Sequence, residues 1–99
     1  MNKDIEIVQK VKIRGHVLKM LELTYPTATF ESAVAAGLNE RGLVTSPDIS
    51  EYTSYLTDKG LIRVLKDTER FGIHERLLTL TPDGVDVLDG LVMLPGVEV

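Results

Sequence analysis

The stretch from Ser46 to Leu80 limits the fold of this chain more than any other part of it. Ser46-Pro47-Asp48 opens a segment in which Ile49, Thr53 and Leu56 recur at i, i+4 and i+7, and Gly60 closes it. A serine oxygen can accept a free N–H at a helix start, and a proline just after it loses no donor the helix needs. The spacing predicts a helix over residues 47–59, with Ser50, Glu51, Ser54 and Tyr55 facing outward and Tyr52 at the boundary. Residues 62–66 and 75–80 are rich in aliphatic and β-branched side chains and read as two strands. The polar segment between them, 67–74, is their tip, with Phe71-Gly72 as the turn.

The flanking segments extend this pattern. Residues 4–24 read as a first helix, with apolar stripes through Ile7, Val11, Leu18 and Leu21 and through Ile13, Val17 and Met20. Asn2 or Asp4 is its expected cap, and Pro26 stops it. Gly15 costs roughly 1 kcal/mol inside a helix and marks either a bend or a close packing contact. Phe30 to Glu40 reads as a second helix, capped by Thr27 or Thr29, with Phe30, Val34 and Leu38 inward and Gly42 beyond its end. Leu43-Val44-Thr45 is a short connector. Thr81-Pro82 opens a fourth helix with Val85, Leu88, Val92 and Leu91 as its stripe, and residues 93–99 form an extended apolar tail.

Three helices, a two-stranded hairpin and a final helix make an α+β winged helix-turn-helix, one domain over residues 1–99. The apolar start of the first helix, Ile5 to Val11, exceeds what one small core needs. Residues 1–24 and 81–99 are accordingly expected to double as dimerisation elements of a homodimer.

In such a fold the second helix of the pair offers its outward residues to base edges, and the wing touches phosphates. The candidate base readers are Ser46, Ser50, Glu51, Ser54 and Tyr55. The candidate phosphate contacts are Arg63, Lys66, Arg70, His74 and Arg76. Charge tempers this expectation. Residues 1–80 hold eleven basic and eleven acidic side chains, and residues 81–99 add four acids and no Lys or Arg, for a net charge of −4. Nucleic-acid binders usually carry a basic excess. Asp48 and Glu51 on the presumed reading face would repel phosphates.

Other classes of function find little purchase. The chain has no cysteine, which removes disulfides, thiolate zinc sites and cysteine nucleophiles. His16 and His74 stand in no metal-binding or catalytic motif, and no glycine-rich phosphate loop is present, so neither an enzyme nor a cofactor is expected. Asp83, Asp86 and Asp89 read as a solvated acidic face. No apolar run approaches a membrane span, and Met1-Asn2-Lys3-Asp4 lacks the apolar core of a signal peptide, so the expected compartment is the cytoplasm.

Ile49…Leu56-Thr57-Asp58-Lys59-Gly60-Leu61-Ile62 resembles winged-helix regulators of the MarR and ArsR type. Leu80-Thr81-Pro82-Asp83-Gly84-Val85-Asp86-Val87-Leu88-Asp89-Gly90, with Leu94-Pro95-Gly96-Val97, resembles small winged-helix proteins of Mu-like phages and prophages. This chain ends in Glu98-Val99 where that family tends to end in basic residues. The resemblance implies at most a DNA-associated function, and the leading expectation is a small phage-type DNA-binding or transcription-regulating protein. The alternative is a winged-helix assembly module that meets a phage or host protein instead of DNA.

Overall fold

A computed structural model describes the backbone of residues 3–70 and 73–99 and the side chains of 4–69 and 75–99. The expected Asn2 cap, the Phe71-Gly72 turn and the side chains of Arg70 and His74 lie outside the described residues. The chain forms an α+β fold in the order α1 (Lys3–Glu22), β1 (Thr29–Phe30), α2 (Glu31–Glu40), α3 (Ser50–Asp58), β2 (Ile62–Arg70), β3 (Ile73–Leu80) and α4 (Pro82–Leu88). The strands make one antiparallel sheet in the order β1-β3-β2, with β3 central.

Helical spacing puts Val17, Leu18 and Leu21 of α1 against Val34 and Leu38 of α2, and Ile49 and Leu56 join them at and near α3. Leu61, Ile62, Leu78 and Leu80 close the core from the sheet. Ile49, Thr53 and Leu56 are all buried, as their i, i+4, i+7 spacing predicts. Gly60 (φ 75°) follows the end of α3 in the left-handed region, which an L side chain would resist. At α4 the Thr81 hydroxyl accepts the Gly84 amide (3.1 Å) with Pro82 just inside, the start the sequence predicts.

Several expectations are corrected. α3 starts at Ser50, not at residue 47, because two side chains divert the backbone first. Ser46 Oγ accepts the Asp48 amide (3.1 Å), and Asp48 Oδ1 accepts the Ser50 amide (2.9 Å). Neither Thr27 nor Thr29 caps α2, since Thr29 Oγ1 lies 2.6 Å from Thr24 Oγ1 instead. Phe30 does not join the inward stripe. It belongs to β1, pairs across with Leu77 and stays half exposed. α4 is shorter than predicted and turns Val87 into the core, while Leu91 and Val92 lie beyond its end, exposed.

The β2–β3 ladder runs past the predicted ends of both strands, to Arg70 and back from Ile73. Leu65 is an extra residue between the pairs Val64–Leu78 and Lys66–Leu77, a β-bulge that leaves its side chain half exposed. Because side chains alternate along a strand, Arg63 and Lys66 share one face of the hairpin with Thr79 and Leu77. Asp67 and Arg76 share the other.

The tail after α4 folds back over α1 instead of extending. Glu98 donates its amide to the Val11 carbonyl (3.2 Å), Arg14 Nη1 donates to the Gly96 carbonyl (3.1 Å), and Val97 is buried. Gly15 permits this crossing. A Cβ there would sit 1.6 Å from the Glu98 carbonyl oxygen, so the close-contact reading of this glycine holds.

Candidate functional site

Two surfaces compete for the role of functional site. The first is the face of α3 and the hairpin. Ser50, Glu51 and Ser54 are exposed there, with Ser46 and Asp48 just before the helix. Glu51 receives Lys10 of α1 at 2.8 Å, and this carboxylate raises the Lys10 pKa through their hydrogen bond. Hydrogen bonds from Ser50 hold the Asp48 carboxyl below its ordinary value, which keeps a negative charge at the start of α3. That position suits the helix dipole. A lowered folded-state pKa stabilises above the ordinary aspartate value, and the stabilisation is lost as pH falls through the folded one. We therefore expect the Ser50 amide resonance to titrate at a pH below that of an ordinary aspartate. In Asp48→Asn this titration disappears, and the first turn of α3 exchanges its amides faster at neutral pH.

The other predicted site residues disperse. Tyr55 is not an outward reader. It is half buried, and the Arg14 guanidinium lies 3.6 Å from its ring centroid, a cation–π contact that faces α1 and the tail. Arg76, expected to meet phosphate, is instead engaged within the fold. Its Nε reaches Glu31 Oε1 (3.1 Å), and its Nη2 reaches Glu31 Oε2 (2.5 Å) and Thr53 Oγ1 (2.6 Å). Thr53 in turn donates to Glu31 Oε2 (2.5 Å). This network ties the first residue of α2 to α3 and β3, and the Glu31 carboxylate raises the Arg76 pKa. Arg63 and Lys66 are exposed, but on the face of the sheet opposite Arg76, the residue that touches α3. Asp67 and Glu69 are exposed along the same strand. Sequence periodicity could not reveal that Arg76 and Tyr55 are occupied, because their partners Glu31 and Arg14 lie far away along the chain.

The second surface is a groove of about 620 Å³ between the first turns of α1 and the tail. Ile7, Val8 and Val11 line one wall, and Val92, Met93 and Val99 line the other. Met93 is 91% exposed, and Ile7 and Val8 are about half exposed. No family model, curated protein or solved structure matches this chain. The reading of function therefore rests on these two surfaces alone. Among the described residues, no cluster of His, Asp or Glu side chains could hold a metal ion. No helix among them is long and apolar enough to cross a membrane.

Proposed function

We propose that this chain is a winged-helix assembly module that self-associates through the groove between α1 and the tail. The element order supports the winged-helix part: α2 and α3 form the helix pair, β2–β3 forms the wing, and β1 completes a sheet with β3 at its centre. One observation carries the functional part. Ile7, Val8, Val92, Met93 and Val99 stand exposed along a single groove, an arrangement that monomers seldom leave in water. The α3 face argues the same way from the other side. Its exposed charges are acidic or paired; Arg76 is held by Glu31, and Arg63 and Lys66 lie on the opposite face of the sheet.

Sedimentation equilibrium tests this reading. The expected result is a dimer at micromolar concentration that becomes a monomer in Met93→Asp, with an unchanged circular dichroism spectrum. A wild-type chain that stays monomeric across the concentration range sinks the proposal.

The second reading is a DNA-binding regulator. It is supported by Ser50 and Ser54, open on α3, and by exposed Arg63 and Lys66 on the wing. It expects duplex binding that weakens steeply with salt, followed by fluorescence anisotropy. On the assembly reading the same titration stays flat.

A further inference from the structure

We infer that the tail after α4 is a strap whose seating on α1 and α3 completes the apolar groove, so that tail seating and the pairing of two copies stabilise each other; this rests on the self-association proposed above and assigns its control. The groove has no independent wall opposite α1. That wall is made by Val92, Met93 and Val99, and it exists only while the tail lies across the helix. Part of the tail's seat lies outside the groove. Arg14 donates to the Gly96 carbonyl, and Gly15 leaves the room through which Glu98 reaches the Val11 carbonyl. Arg14, Gly15 and Gly96 thus hold the tail without lining the groove.

The seat extends to α3. The Arg14 guanidinium bridges the Gly96 carbonyl, 3.1 Å from Nη1, and the Tyr55 ring, 3.6 Å from its centroid. Gly96 itself backs onto Tyr55, since a Cβ there would fall 2.0 Å from the phenol oxygen. Seated, the tail buries Val97, contacts both helices and gives Ile7 and Val8 an opposite wall. Unseated, it gives up all of these together, which makes it a two-state element. Its hold is slight for a segment with no helix or strand: two hydrogen bonds to α1 and one fully buried valine. Such a segment opens without the rest of the fold. A second copy that spans both walls binds the seated form alone. By linkage it holds the tail down, and a loose tail weakens the pairing in return.

Two measurements test the coupling. Gly15 lies outside the groove, so a dimer lost in Gly15→Ala is lost through the tail. With the tail seated less than about one-tenth of the time in each chain, the dimer should weaken by at least about 100-fold in sedimentation equilibrium while the helical signal persists. In the wild type, hydrogen exchange of the Glu98 amide reads the linkage directly. At a concentration about 100 times the dimer Kd, only about one chain in 14 is monomeric, so this amide should exchange about 10-fold more slowly than at high dilution. In Met93→Asp, kept monomeric by the new charge, it should exchange at the dilute rate at every concentration. The wild-type measurement alters no residue of the strap, so it decides even if G15A is unstable. If the wild type dimerises while Glu98 exchange ignores concentration, or folded G15A dimerises with the wild-type constant, the strap is uncoupled and self-association stands. If the wild type is monomeric throughout, both fall.

Discussion

Arg76→Ala is expected to lower stability by about 2–4 kcal/mol, because it strands a largely buried carboxylate. Glu31 and Arg76 are less than one-fifth exposed, and Thr53, which binds both, is fully buried. Removing the guanidinium leaves the Glu31 oxygens with the Thr53 hydroxyl alone, and little water to replace the two charge-assisted hydrogen bonds they received from Arg76. For a domain of this size the loss corresponds to a fall of roughly 10–20 °C in the melting temperature. Urea denaturation should show a lower midpoint at an unchanged slope, since the surface exposed on unfolding is the same. The double substitution E31Q/R76M should be less damaging than R76A, because it removes both charges together. A double variant as unstable as the single one would mean that packing around Arg76, and not the stranded charge, sets the cost.

Gly15→Ala should lift the tail off α1. An alanine normally favours a helix interior over glycine by about 1 kcal/mol. Here its Cβ would fall on the Glu98 carbonyl, a backbone atom fixed by the neighbouring Glu98–Val11 hydrogen bond. The tail must yield, and with it go the burial of Val97 and the Arg14–Gly96 contact. Burying a valine stabilises by about 1.5–3 kcal/mol and each of the two hydrogen bonds by about 1, so after the alanine gain the balance is a net loss of about 2.5–4 kcal/mol. Hydrogen exchange of the Glu98 amide should quicken by at least about 10-fold, while amides in the middle of α1 keep their protection. In a chain cut after Pro95 the same substitution should change sign and become mildly stabilising. A destabilisation that persists in the shortened chain would place the clash elsewhere.

Local signals were legible in the sequence and long-range ones were not. The inward faces of α1 and α3, the Thr81-Pro82 start of α4 and the extended character of the two segments after Gly60 all depend on residues within a few positions of each other. The start of α3 is not legible locally because Ser46 and Asp48 can each capture a downstream amide. Sequence alone does not say which backbone path results when both do so in succession. β1 is two residues long, too short to show alternation. The burial of Val87 is not legible because α4 is under two turns beyond its cap, where a small shift of phase exchanges the buried valine. The candidate site suffered most. Which cations and aromatics face solvent depends on partners such as Glu31 and Arg14, which only the tertiary fold brings near.

Leu65 governs which charges meet on the outer hairpin. In an unbroken ladder beyond Val64–Leu78, Lys66 would stand opposite Arg76, and Asp67 opposite Glu75. Both would be like-charged neighbours, which sheets disfavour. The inserted residue slides β2 by a single step, so Asp67 faces Arg76 and Thr68 faces Glu75, donating its hydroxyl to the Glu75 carbonyl. A strand that zipped up without the offset would meet two repulsions in succession, so the hairpin rejects its own nearest misalignment.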